Sequence, residues 1–302
     1  MDKRKKGFLI LLSIILIILS IMGIKNYRIN NYLSKEYEPK YIINELYKSK
    51  EINYRMALDD NEKAIYDVLI ENFSKFKTNF GIDLEKYDYN YSSKYLQKVA
   101  DIIGAVLMDH PELIQVGLVT LQIQNGSEMV IISPSYVIST EDYQDKINEI
   151  KIIIEQVKQE TKNLNEFEKV KYVYDYIGKT NRYGNPDESM AQSAYSAFNS
   201  NLSPVCAGYA RASQILFNNI GVKSLLVSGK AEYSLFLGTS HAWNLVSINS
   251  SFYLYDVTMS SDAYSTKSFY RGFLIDGNKH KPTFKKSYPH LNGFKYKEIY
   301  SK

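Results

Sequence analysis

The stretch SAYSAFNSNLSPVCAGYARASQILFNNIGVKSLLVSG, residues 193–229, is the part of the chain from which the rest is best read. Pro204-Val205-Cys206 runs into a segment whose apolar positions, Ile215, Leu216 and Ile220 among them, fall at helical spacing, and Gly221 stands where a helix C-terminal cap is expected. Cys206 thus falls in the first helical turn. Unsatisfied backbone N–H groups and the helix macrodipole favour negative charge there, which lowers a thiol pKa and raises the thiolate fraction at neutral pH. A neighbouring imidazole lowers it further.

Downstream, Val222 to Ser228 reads as a strand, and 241–258 reads as a hairpin, HAWNLVSI and SFYLYDVT joined by Asn249-Ser250. These strands carry His241 and Asp256, 35 and then 15 residues after Cys206, so a nucleophile, a base and an orienting acid occur in that order. A two-residue turn sets Ile248 opposite Ser251 and His241 opposite Thr258, which makes Asp256 the diagonal neighbour of His241 on the same sheet face. A three-residue turn moves the two to opposite faces. Each residue alone has a plainer reading: a lone Cys is more often a small buried hydrophobe, and a lone His or Asp at a strand end a satisfied polar group. Trp243 shares the face of His241, where it either walls the site or packs in the core. Arg211, His110, His280 and His290 read as structural or solvated side chains.

Upstream, a helix fits residues 59–76, with Ile65, Val68, Leu69, Phe73 and Phe76 at helical spacing behind the capping residues Asp59, Asp60 and Asn61. A second fits Ser92 to Asp109, stopped by Pro111. Val119, Leu121 and Ile123 alternate with polar residues, and Asn125-Gly126 before the apolar run Met129 to Ile132 is a strong two-residue hairpin signal. Helices follow from about Thr140 to Lys158, and from near Asn165, where Glu168 completes a capping box ahead of Phe167, Val170, Tyr174 and Ile177. Tyr183 to Ser193 is a polar loop. The polar stretch Glu160 to Asn165 is the nearest thing to a boundary. It divides a helical region with a hairpin, 59–162, from an α+β core, 163–302, behind a Lys-, Tyr- and Asn-rich stalk over 25–58.

At the N-terminus, Gly7 to Ile24 are 18 residues without a charge, spanning about 27 Å as helix, close to the bilayer hydrocarbon thickness. A cleaved signal peptide shares this pattern, but the run exceeds a usual signal core and ends without an Ala-x-Ala-like site, so it reads as a transmembrane anchor. No Cys follows it for lipoprotein processing. The basic segment 1–6 stays in the cytoplasm, which places the chain as a single-pass membrane protein with its C-terminal domain extracytoplasmic. Three of the four net positive charges lie in the first 24 residues, and the remaining basic and acidic residues are interspersed, which argues against nucleic acid as a partner. One Cys and four scattered His exclude an intrachain disulfide and a Cys-rich metal site, and no metal or cofactor is expected.

Three blocks, VCAGYARA around Cys206, SHAWNLVSI around His241 and FYLYDVTMSSD around Asp256, resemble the transglutaminase-like superfamily, specifically its bacterial exported members. LMDHPELIQV (107–116) and NEFEKVKYVYDYI (165–177) resemble segments that precede the core in such proteins. The resemblance implies a papain-like fold, with a Cys-bearing helix packed on an antiparallel sheet. It also implies Cys206 as the nucleophile that forms a thioester with an amide carbonyl, His241 as general base and acid, and Asp256 as the residue orienting the imidazole. Gln192 and Tyr195 precede the Cys in a segment that family members carry, and become candidates for the second oxyanion donor beside the Cys206 N–H. Met259 stands where the family often has Trp, and Ala207 where a larger polar residue is frequent. The implied substrate is an amide of a protein or cell-wall peptide, with water or an amine as acceptor. A non-catalytic wall-binding or scaffolding module on the same fold is the alternative.

Overall fold

The computed structural model describes residues 53–87, 93–123, 129–230, 240–249, 251–261, 269 and 272–274. Helix α1 spans Asp60–Ser74, opened by a capping box in which the Asp59 carboxylate accepts from the Glu62 N–H and Glu62 reaches back to the Asp59 N–H. Strand β1 (Phe80–Asp83) and helix α2 (Ser93–Asp109) follow, then strands β2 (Val116–Ile123) and β3 (Met129–Tyr136). These three strands form an antiparallel sheet in the order β1-β3-β2. Helices α3 (Thr140–Thr161) and α4 (Glu166–Thr180) come next, the latter with the expected capping box between Asn165 and Glu168. Helix α5 (Cys206–Asn219) leads into strands β4 (Ser224–Lys230), β5 (Ser240–Ile248) and β6 (Ser251–Tyr255), a second antiparallel sheet with β5 in the middle.

Alternation along β4 and β5 decides what each face of this second sheet buries. Val246 and Ile248 join a core built from α3, α4 and α5, through Ile147, Ile150, Ile154, Val170, Tyr174, Ile215 and Phe217. Leu225, Val227, Trp243 and Leu245 point the other way, into a core shared with α1, α2, β1 and β3. Each fully buried aliphatic or aromatic side chain of this kind is worth about 1.5–3 kcal/mol against about 1 kcal/mol for a helix cap, so packing on both faces of β5, rather than helix propensity, holds the two halves together. This differs from a division at residues 162 and 163, because the buried stripe of α3 is continuous with the core of α4 and α5. The boundary residues are polar only because the chain turns there.

Three other expectations are corrected. Helix α1 ends at Ser74, and Phe76 turns out of it with φ 52°. A left-handed non-glycine residue costs about 1–2 kcal/mol, which burial of the Phe76 ring against Tyr136 and Tyr143, at 5.0 and 5.4 Å between centroids, offsets. In the first hairpin Ile123 pairs with Val130, whereas a two-residue turn at Asn125-Gly126 would set it opposite Glu128. A shift of two positions keeps the same side chains on the same face, so the alternation was readable although the register was not. The turn itself lies outside the described residues. Lastly, the end of the expected stalk is part of the folded body. Residues Tyr54–Ala57 form a 3-10 turn, Tyr54 is buried, and its hydroxyl donates to the Leu226 carbonyl at 2.8 Å. No helix among the described residues is long and apolar enough to cross a membrane, and residues 7–24 lie outside them.

Asp109 ties that turn down. Its carboxylate accepts from the Tyr54 N–H at 2.8 Å, the Arg55 N–H at 3.0 Å and the Tyr66 hydroxyl at 2.8 Å. Burial, only partly opposed by these donors, pushes its pKa up to about 6 from 3.8. Asp109→Ala strands these donors and is expected to lose about 2–4 kcal/mol in urea denaturation of the full chain, with Asp109→Asn, which retains one acceptor, losing less. Between pH 6 and 4 the folded protein holds a proton here that the unfolded chain has released, so wild type should gain stability over Asp109→Asn as pH falls through that window. A loss below about 0.5 kcal/mol for Asp109→Ala would mean that the turn contributes nothing to the core.

Candidate active site

Cys206 opens α5, and the residue in the N-cap position, Val205, has no side chain able to cap. The first-turn N–H groups are therefore left to other acceptors, a thiolate included. The segment before the helix is fixed by backbone hydrogen bonds, Val205 N–H to Ala191 O at 3.0 Å and Gly184 N–H to Pro204 O at 3.0 Å. At the other end Gly221, with φ +76°, ends the helix in the left-handed conformation expected of it. The Cys206 side chain is half-buried against Ala210, Leu226 and Ala242.

His241 lies near the start of β5, whose pairing with β6 has the register expected for a two-residue turn: Ile248 opposite Ser251 and Asn244 opposite Tyr255. Asn249 carries φ 50°, as the first position of such a turn requires. Strand pairing stops at Tyr255, so Thr258 does not face His241. Asp256 instead caps the 3-10 turn Val257–Ser260, with Oδ1 accepting from the Thr258 N–H at 3.1 Å. Parity is kept up to that point, and the His241 Nε2 donates to Asp256 Oδ2 at 2.8 Å, both residues being buried. The Asp256 N–H donates to the Gly272 carbonyl at 2.8 Å, which anchors the acid from a third segment.

With Nε2 engaged by Asp256, Nδ1 is the ring nitrogen left to act on the thiol, and the charges of His241 and Cys206 favour one another. Burial raises the Cys206 pKa, but the neighbouring His241 and the N–H of Ala242 outweigh it, and the net shift is below the ordinary thiol value. Burial likewise opposes a charged His241, yet Asp256 and the sulfur carry its pKa up to about 10. Each shift favours its charged form. A thiolate beside an imidazolium can both attack an electrophilic carbon and return a proton to a departing group.

Of the remaining candidates, Trp243 answers to both of its readings: its ring stacks on His241 with centroids 5.8 Å apart and 23° between planes, and it is buried in the core shared with α2. Tyr195 is not brought to the thiol. Its ring is buried in the core of α3 to α5, and its hydroxyl donates to Glu149 and accepts from Asn199. Gln192 is exposed, and it is its backbone carbonyl that matters structurally, accepting from Arg211 Nη1 at 2.8 Å. His110 is held by Glu112 at 2.6 Å. His280 and His290 lie outside the described residues. No group of three or more His, Cys, Asp or Glu among the described residues is arranged to hold a metal ion. The residue that sequence reasoning missed is Tyr183, whose ring lies nearly parallel to that of Tyr209 with centroids 6.5 Å apart, and whose phenol is pushed up to about 12 by burial and by the charge of the Cys206 sulfur. Its only sequence signal was a Tyr-Gly pair at the head of a polar loop.

Residues 153–257 match the family model of the transglutaminase-like superfamily. The match holds Cys206, His241 and Asp256 and spans about a third of the chain. Among solved structures, a candidate cysteine protease from Cytophaga hutchinsonii is similar at 14% identity and a TM-score of 0.32, over 47% of this chain and 61% of that one. A structure described as a TGase is similar at 17% identity and a TM-score of 0.32, over 64% of this chain and 56% of that one. The chain thus spans less than two-thirds of either neighbour's length. No curated protein matches. Within the mixed helix-and-sheet body, the matched residues place the Cys at the start of its helix, the His on the adjoining sheet and the Asp just past that sheet's last strand.

A lowered thiol pKa that depends on His241 is directly measurable. The rate of Cys206 alkylation by iodoacetamide should rise through a pKa below about 8.5 in wild type, and only near or above that value in His241→Ala. An identical profile in both proteins would mean that the imidazole does not act on the thiol.

Proposed function

We propose that the chain is a membrane-anchored, extracytoplasmic thiol enzyme that acts on amide groups of proteins or cell-wall peptides through a Cys206 thioester. The observation that carries this reading is the buried imidazole of His241, which donates from Nε2 to the Asp256 carboxylate at 2.8 Å and whose charge holds the Cys206 thiol below its ordinary pKa. The Cys206 sulfur attacks the amide carbon, and the carbonyl π pair moves onto oxygen beside the Cys206 N–H. Collapse re-forms the C=O and breaks the C–N bond, and the imidazolium gives its proton to the leaving amine. Water or a second amine then attacks the thioester while His241 takes back a proton, and the sulfur leaves as thiolate. Asp256 stays ionised throughout and holds the ring in the orientation that both transfers need. This sequence requires no cofactor.

The acceptor follows from how far the site excludes water and admits an amine. Incubating the full chain with cell-wall peptides and a labelled amine, followed by mass spectrometry, distinguishes cleavage, deamidation and amine incorporation. Cys206→Ala should abolish every product, and Asp256→Asn should lower the rate by about 10⁴-fold. Absence of any product and of any acyl-enzyme mass in wild type, across protein and peptide amides, would leave the non-catalytic binding module as the better reading.

Location is proposed from the uncharged run at 7–24 behind the basic segment 1–6. Protease added to intact protoplasts should degrade the domain, and the membrane-bound chain should retain its N-terminal residues. Release of a product beginning near residue 25 would replace the anchor with a cleaved leader.

A further inference from the structure

The segment LMDHPELIQV (107–116) supplies the end of α2 and the turn into β2. Asp109 is held inside by the turn at Tyr54, and Tyr54 spans from there to the second sheet: its N–H donates to Asp109 Oδ1 and its hydroxyl to the Leu226 carbonyl, both at 2.8 Å. The end of α2 is thereby fixed relative to the middle of β4. Met108, the residue before Asp109, bridges the same seam. It packs on the core shared with α1 and β1 and also on Ala210, Leu226 and Ala242, the three residues against which Cys206 rests. Leu226 pairs with Asn244 and Ser228 with Ala242, so Leu226 and Ala242 are diagonal neighbours on one sheet face, while Ala210 lies one helical turn beyond Cys206. These three are buried, whereas Met108, Cys206 and Ala207 around them are half-buried. The thiol thus shares an apolar floor with a side chain from the N-terminal half of the body.

Acylation makes that floor part of the substrate site. In the thioester the acyl carbon is bonded to Cys206 Sγ, the C–N bond is broken and the amine has left with the proton from His241. The group carried on the acyl carbon then lies one bond further out, within reach of the surface on which the sulfur rests. Apolar surface gains when an apolar group covers it and loses when a charge is brought onto it. We propose, building on the thiol-enzyme reading above, that Met108 is a specificity-determining residue for the acyl donor, and that the surface it forms with Ala207 beside the thiol takes a short, uncharged aliphatic group. Ala207 leaves room next to the sulfur that a larger side chain would fill. Met108 is unbranched and flexible, so it can close over alkyl groups of different shape. Amides of small aliphatic acyl residues are therefore favoured over amides of acidic ones.

Three p-nitrophenyl esters read this surface, each acylation bonding the carbonyl carbon to the sulfur and expelling p-nitrophenolate. The butyrate and the succinate monoester differ only in ending on a methyl or a carboxylate, and the acetate, too short to reach beyond the sulfur's own neighbours, reports the thiol and the assembled site. Rates are measured on the full chain, and each is divided by the rate of the same ester with N-acetylcysteine. Wild type should favour butyrate over succinate by at least about tenfold. Met108→Leu, which keeps an apolar side chain of similar size, should retain that ratio, and Met108→Lys should lower it at least about tenfold. A ratio in Met108→Lys equal to that of wild type, or no preference in wild type, would overturn the proposal. Equal slowing of all three esters in both variants would assign Met108 to the packing of the seam and overturn it too. Wild-type acylation no faster than in Cys206→Ala with any ester would instead remove the thiol-enzyme reading, and this inference with it.

Discussion

The side-chain amide of Asn244, buried between helix α5 and strand β5, donates to the Ala210 carbonyl at 3.1 Å and to Gln214 Oε1 at 3.0 Å. Ala210 lies one helical turn beyond Cys206, and Asn244 three residues beyond His241. Gln214 in turn donates to the Ser224 carbonyl of β4 at 3.0 Å. Apolar burial of Ile215, Leu216 and Phe217 supplies more free energy, about 1.5–3 kcal/mol for each against about 0.5–1.5 kcal/mol net for a hydrogen bond. Apolar contacts, however, tolerate sliding. Donors aimed at single oxygens do not, so this small network is what sets the distance between a thiol on one element and an imidazole on another.

A second constraint is that β5 is covered on both faces. The helix side positions the sulfur, while the opposite side presses Trp243 against the His241 ring and the core around α2. The imidazole is thereby kept away from water, which strengthens its pairing with Asp256 and its electrostatic effect on the thiol. The N-terminal half of the described body therefore acts as a back wall to the site although it contributes neither the thiol, the imidazole nor the carboxylate.

What was legible in the sequence followed local rules. Asp59 and Asn165 announced helix starts because a cap and its partner lie within one turn. The second hairpin was readable through its parity, since a two-residue period and a turn pair determine which side chains share a face. What was not legible depends on contacts between distant residues. Strand β1 is four residues with a glycine inside, and it exists only because β3 pairs with it. Tyr195 sat beside the Cys-bearing segment in sequence, yet Glu149, 46 residues away, takes its hydroxyl. Tyr183 lay in a loop without periodicity, and its place beside Tyr209 came only with the fold of that loop onto Pro204. Asp256 was found by parity, but its carboxylate is also held by a 3-10 turn that no pairing rule anticipates.

The carbonyl of Gly272 that receives the Asp256 N–H belongs to a short return of the chain over α4. There the Tyr174 hydroxyl donates to the Phe269 carbonyl at 2.8 Å, and the Tyr174 ring meets that of Phe273 edge-on at 5.2 Å. The family match stops at residue 257, and the back wall begins near Tyr54. A fragment trimmed to the matched residues would hold the thiol, the imidazole and the carboxylate in one polypeptide, yet would lack both the carbonyl that seats the acid and the surface that dries the ring. A unit that keeps both flanking contacts therefore runs from before residue 54 to beyond residue 274, about twice the length of the matched region it surrounds.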